Sequence, residues 1–311
     1  MKKILRFFIY FGIFTHFTYS SFAQADWLRY RYEINGGIGP SFFLGELGGS
    51  NGIGRNNILD LNWKATRIGG HFGGRYFLQE RIAVQGSFTF GLIHGSDKNT
   101  KEYFRSYRDV SFRSPIYEFH GRVEYKIRKE REGHRYDLRG VRGQRAVKFV
   151  TYAFAGVGVY YFNPQAKING TWIDLRPIGT EGQNFIATRK PYSRVSISIP
   201  VGFQLKYVAN TKWAFSAEIG PRFLFTDYID DVSTTYASPD LIAANQTTVP
   251  SDIAKIAADP AYESNIRPDG SYAYYNEQRG NPYNNDFFMF AMVTVHYKLK
   301  ANRNGWPTFQ R

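Results

Sequence analysis

The chain contains no cysteine. That excludes a disulfide framework, thiol catalysis and a lipid anchor on an N-terminal cysteine. Beyond residue 23 it also lacks any unbroken apolar run near the ~20 residues a membrane helix requires. Its six histidines form no pair at helix or zinc-finger spacing, so no metal site is expected. The glycine-rich stretch from Gly45 to Gly54 lacks a following Gly-Lys-Ser/Thr, which makes it a flexible loop rather than a phosphate cradle. Acid is scarce as well, with 26 Asp and Glu against 40 Lys and Arg and a net charge of +14.

What is present begins with an export signal. Lys2, Lys3 and Arg6 precede the apolar run from Ile4 to Phe17, and Ser21 and Ala23 occupy the small-residue positions of a cleavage site. Residues 1–23 are therefore expected to be a signal peptide. Removing its three cations takes the net charge from +14 to +11, a balance suited to anionic lipid or an acidic partner and not to nucleic acid in an exported protein. Tyr and Phe number 23 and 27, and Gly 30. An exported, aromatic-rich and glycine-rich chain without membrane helices fits an outer-membrane β-barrel.

Alternation supports this. From Tyr117 to Ile127 the odd positions are apolar or Gly121, and the even ones are Glu118, His120, Arg122, Glu124 and Lys126. Side chains alternate between the faces of a strand, so one face is greasy and the other ionisable. Similar segments recur at about 30–42, 66–76, 82–93, 195–207, 213–225 and 287–299, and a nearly apolar one at 149–162 has no readable facing. The expectation is an all-β, eight-stranded antiparallel transmembrane barrel over residues 24–300, with a short periplasmic tail at 301–311. Tight connections at 77–81 and 209–212 would be periplasmic. Long ones at 43–65, 94–111, 163–191 and 226–286 would lie outside.

Eight strands enclose a space that side chains fill. The inward positions include Glu33, Arg67, Arg75, Glu118, Arg122, Glu124, Glu218 and Arg222, with His71 and His120. Such groups must pair, so the interior is read as a salt-bridged plug and not a diffusion pore. The connection 128–148 departs from the short-turn rule. Arg128, Lys129, Arg131, Arg135, Arg139, Arg142 and Arg145 make it either a solvated loop or a basic arm for a periplasmic partner. Beyond the seventh strand, Asp227, Asp230 and Asp231 offer carboxylates that could hold Ca²⁺, but lack the further ligands of a recognisable loop.

Several loop segments are more specific than a barrel pattern. They are FRSPIYE (112–118), YAFAGVGVYYFNPQA (152–166), DLRPIGTEG (174–182), FTDYIDDVSTTY (225–236) and RGNP (279–282) with Asn285 and Asp286. In that order they resemble the PorG-like outer-membrane proteins of the type IX secretion system, from about residue 29 to 299. The resemblance implies a non-enzymatic barrel without cofactor. It also implies outer-membrane lipids as surroundings and, as partners, a periplasmic ring lipoprotein (PorK-like) with its companion (PorN-like). Asp230 and Asp231, followed by Ser233 and Thr234, would fold an outer loop through side-chain to backbone bonds. Pro177, Gly179 and Gly182 would set a fixed turn. Two other readings stay open: a structural or small-ligand-binding barrel without a secretion role, and a lipid A-modifying hydrolase using a Ser-His-acid set at the rim.

Overall fold

A computed structural model describes residues 26–45, 47, 63–99, 108–128, 148–183, 185–262, 277–302 and 306–308. After a single helical turn, α1 (Asp26–Arg29), the chain forms β1 (Tyr32–Leu44), β2 (Arg67–Phe77), β3 (Ile82–Ser96), β4 (Ser111–Arg128) and β5 (Phe149–Phe162). A small hairpin follows, β6 (Gln165–Ile168) and β7 (Thr171–Asp174), and then β8 (Val195–Val208) and β9 (Trp213–Leu224). Two helices, α2 (Pro239–Asn245) and α3 (Ser251–Ala258), precede β10 (Phe287–Ala301) and the two-residue β11 (Pro307–Thr308). β1 pairs with β2, and pairing continues through β3, β4, β5, β8, β9 and β10; β10 returns to β1. The result is a closed antiparallel eight-stranded barrel with no free edge, the arrangement that satisfies every strand hydrogen bond away from water.

The outward face is apolar all round. Ile38 is 65% exposed, Phe119 67%, Val157 60% and Val293 64%. A soluble protein does not leave a surface of that extent in water, so the wall is built to face lipid. Aromatic pairs mark both edges of the band. At the end where β1 starts and β10 finishes, Tyr32 lies 4.9 Å from Tyr76, Phe149 5.2 Å from Tyr207 and Trp213 4.7 Å from Tyr297, between ring centroids. At the opposite end, Phe223 pairs with Phe287 at 5.1 Å and Phe42 with Trp63 at 5.8 Å. From Tyr297 to Phe287 is ten residues along β10. At ~3.3 Å per residue and ~40° of tilt this gives about 25 Å, the height of an outer-membrane apolar band.

β5, whose facing the sequence leaves open, turns Tyr152, Phe154, Tyr160 and Phe162 inward. These rings are not out of place beside charge. The guanidinium of Arg122 sits 4.1 Å from the centroid of Phe154, and that of Arg75 5.1 Å from Tyr152, so cation–π contact takes the place of hydrogen bonding on one face. Phe154 needs the absence of a side chain at Gly202. A Cβ there would stand 2.7 Å from the ring and 2.1 Å from the carbonyl oxygen of Ile219.

The long loops carry structure of their own. β3 and β4 stay paired as far as Ser96 and Ser111, and Arg113 of β4 takes β6 as a further neighbour opposite Gln165. In α2, Ser238 caps the first turn and Pro239 occupies its start, a position where the missing N–H costs nothing. α2 and α3 bury Ile242, Ala254 and Ala257 against Ile168, Leu175 and Ile178.

Candidate functional site

Inward side chains of five strands form one chain of alternating charge. Arg75 Nη1 lies 3.0 Å from Glu33 Oε2, and Arg75 Nε 2.6 Å from Glu124 Oε2. Arg122 continues it, with Nε 2.9 Å from Glu124 Oε1 and a two-pronged contact to Glu218 at 2.7 Å each. Lys206 Nζ closes the other end on both oxygens of Glu33, at 2.7 and 2.6 Å. Nearer the loops, Arg222 Nε approaches Glu118 Oε2 at 3.3 Å while Ser198 donates to Glu118 Oε1 at 2.6 Å. The four carboxylates are thus matched by Arg75, Arg122, Arg222 and Lys206, all buried. Burial of these charges is tolerable because each is paired.

The sequence-predicted interior residues Glu33, Arg75, Glu118, Arg122, Glu124, Glu218 and Arg222 all lie in this network, and His71 and His120 are buried beside it. Arg67 does not. Its guanidinium donates to the carbonyls of Lys64 and Thr66, at 3.1 and 2.8 Å. Arg67 is the first residue of β2, where a long side chain can fold back onto the preceding 3₁₀ turn instead of following strand parity. Lys206 and His296 also belong to the interior; even parity in the alternating runs of β8 and β10 is the signal that finds them. Of the basic arm, Arg128 ends β4 and is exposed. Lys129, Arg131, Arg135, Arg139, Arg142 and Arg145 lie outside the described residues.

A Ser-His-acid set does occur, though not at the rim. Ser216 Oγ is 2.8 Å from His296 Nε2, and His296 Nδ1 is 3.7 Å from Glu33 Oε2. Both Ser216 and His296 are buried inside the filled barrel, and Glu33 is already shared by Lys206 and Arg75. This arrangement holds charge and leaves a substrate no place to approach.

The loop end is closed by a second cluster, assembled from segments distant in sequence. Glu181 accepts from the backbone N–H of Ser233 at 2.9 Å, from the N–H of Thr234 at 3.1 Å and from its hydroxyl at 2.6 Å. Arg279 Nη1 donates to Glu181 Oε1 at 3.1 Å and to the carbonyl of Asp231 at 2.5 Å. Asp231 accepts from the Tyr192 hydroxyl at 2.6 Å and from the Thr180 hydroxyl. Asp230 Oδ1 takes the N–H of Val232 at 3.0 Å. Arg108 ties in the neighbouring loop, grasping Asp97 and donating to the Arg279 carbonyl at 2.6 Å. Beneath this cap, Tyr192, Ile229 and Val232 pack onto Phe112, Phe162, Phe288 and Phe290. Thr180, Glu181, Tyr192 and Arg279 were not singled out as individual residues from the sequence; all but Tyr192 lie in segments that were, yet nothing local shows that those segments meet. Asp227, Asp230 and Asp231 do not converge, and among the described residues no group of three acidic or histidine side chains could hold a metal ion.

Asp231 has a left-handed backbone, φ 63°, which Asp and Asn tolerate best after Gly. Burial pushes its carboxyl up to about 6, despite Arg279 and the two hydroxyls. Burial lowers the affinity of the Arg279 guanidinium for its proton, but Glu181 and Asp231 hold it above its ordinary value. A carboxyl with a raised folded-state value favours folding while protonated. Its stabilising effect is complete below about 4 and is lost as pH rises through about 6. Asp231→Asn is therefore expected to slow amide exchange in residues 228–236 at pH 7.5 and to flatten its dependence between pH 4.5 and 7. Unchanged pH dependence in the variant would assign that dependence elsewhere.

No protein-family profile and no curated protein matches the sequence. Among solved structures, the chain is similar to Neisserial surface protein A at 9% identity, covering 86% of this chain and 96% of that one, with a TM-score of 0.38. It is similar to Ail, the attachment invasion locus protein of Yersinia pestis, at 9% identity over 87% and 99%, TM-score 0.38. It is also similar to OprG from Pseudomonas aeruginosa, at 10% identity over 88% and 97%, TM-score 0.34. At such values these likenesses carry no argument about what the chain binds or does.

Proposed function

We propose that this chain is a non-enzymatic integral outer-membrane component of a type IX-like protein secretion machine, associated with a periplasmic ring lipoprotein and its companion. The observation that carries the reading is the filled interior, whose four buried carboxylates are each paired with a cation, beneath a packed cap. Among the described residues such a barrel offers neither a passage nor an accessible reaction centre, so its work falls to its two ends. The resemblance to PorG-like proteins supports the choice of machine. The segments on which it rests supply Thr180, Glu181, Asp231 and Arg279, which build the cap. On the periplasmic end the candidates for contact are Arg128, Lys129, Arg131, Arg135, Arg139, Arg142 and Arg145, with their excess of positive charge.

The test is a pull-down from gently solubilised outer membranes with a tag after Arg311. The expected result is co-purification of a ring-forming lipoprotein and its periplasmic companion. Replacing the seven basic residues with Gln is expected to reduce that recovery severalfold while the barrel still inserts. Recovery of the barrel alone, where another ring subunit brings down the intact ring, would favour a barrel without a secretion role.

A further inference from the structure

The lipid-facing wall is not evenly convex. A trough of about 790 Å³ crosses it from β1 to β5. Its floor follows one register row, in which Ile34 pairs with Gly74, Gly74 with Gly86, Gly86 with Gly121 and Gly121 with Val157. Phe72, Phe88 and Phe119 form the bank on the loop side, and Tyr76, Val84 and Val123 the bank on the terminal side. The banks are four residues apart along each strand, about 13 Å, and four strand spacings make the row about 19 Å long. Leu299 and Pro307 close one end.

Directly below the terminal bank lies positive charge. Arg31 donates to the hydroxyl of Tyr76 and Arg81 to that of Tyr125, each at 3.3 Å. Both tyrosines belong to the outward aromatic edge, so the two guanidinium groups sit at the depth of lipid headgroups. Arg29 and Arg128 are exposed at the same end of the barrel, as is Glu80 in the turn between β2 and β3.

We infer that this trough and its cationic lip form a binding site for an anionic glycerophospholipid of the periplasmic leaflet. The acyl chain lies over Gly74, Gly86 and Gly121, and the phosphate meets Arg31 and Arg81. Dimensions favour a lipid over a protein segment: inclined by the ~40° tilt of the strands, the row spans about 12 Å of depth, within the ~15 Å of one leaflet, and the trough is open on its lipid side. Charge selects the headgroup, because guanidinium pairs with phosphate through several N–H donors. The inference rests on the membrane-spanning part of the proposed function and is independent of the secretion partner.

The experiment is native mass spectrometry of the full-length barrel released from detergent, titrated with phosphatidylglycerol or with phosphatidylcholine of the same chains. Insertion and folding are checked separately by heat-modifiable gel mobility, so a barrel that fails to fold is not mistaken for one that fails to bind. One phosphatidylglycerol per barrel is expected to be retained in preference to phosphatidylcholine. Arg31→Gln with Arg81→Gln is expected to lower that preference about 25-fold, at about fivefold per cation near an anionic headgroup. Gly86→Leu fills the trough, and nothing lies within 4 Å of a Cβ at Gly86, so the fold survives while retention of both lipids falls. Equal retention of the two lipids, or full retention in the Gly86→Leu barrel, would overturn the inference. So would a barrel dimer that Gly86→Leu abolishes, since the trough would then belong to a second copy.

Discussion

Replacing Arg122 with Met is expected to destabilise the barrel by about 3–5 kcal/mol, the usual consequence of removing one member of a buried ion pair. The size follows from what is left behind. Glu218 loses a two-pronged partner at 2.7 Å and keeps the hydrogen bond from the amide of Gln204, at 3.2 Å, with Arg222 and His71 acting on it from further off. Glu124 fares better because Arg75 still reaches it at 2.6 Å. The companion variant Glu218→Leu leaves Arg122 half-paired and should cost a similar amount. The double variant is the informative one. With both charges gone and the volume kept apolar, most of the loss is expected to return. Urea unfolding of all four proteins in lipid vesicles, followed by tryptophan fluorescence, gives the cycle. Additive losses in the double variant would mean that the pair does not act as a unit.

The second large effect is expected at the cap. Glu181→Ala removes the acceptor for two backbone N–H groups and one hydroxyl, and takes away the carboxylate facing Arg279. Losing several buried, charge-assisted bonds at one point is expected to cost about 3 kcal/mol locally. Hydrogen exchange should then quicken about 100-fold across residues 228–236, with the amides of β1 to β5 unaffected. Glu181→Gln keeps the shape and one acceptor oxygen, so its effect should be smaller. Equal protection in Glu181→Ala and the parent would show that the apolar packing of Ile229 and Val232 holds the cap unaided.

The strands were legible because each satisfies two solvents at once. A face that meets lipid and a face that meets buried charge write a period of two into the sequence, and seven of the eight barrel strands are present where that period predicts them, while β5 is present where the sequence is nearly apolar. The facing of β5 is hidden because four of its inward residues are aromatic: Tyr152 and Phe154 meet cations from β2 and β4, while Tyr160 and Phe162 pack against other rings, and local sequence reveals neither. Arg67 was misplaced for the opposite reason: parity was extended to a strand's first residue, where the backbone carbonyls of a turn compete for the side chain. The cap was illegible as a site. Thr180 and Asp231 are 51 residues apart, and Asp231 and Arg279 are 48. Only the fold brings their segments together.

Closure of the ring by β1 and β10 has a consequence for how the molecule is made. Glu33, on the first strand, is held by Lys206, 173 residues later. In an open sheet the inward charges of every strand remain hydrated, and each apolar outward face can already meet lipid. Desolvation of the charges waits for the last strand to arrive. The slow step of folding is therefore expected at ring closure, where loop entropy and dehydration of the carboxylates are met together. Intermediates before that step should be open, lipid-bound sheets with a wet inner face, and an enzyme that cuts β10 from the chain would leave such a sheet as the end product.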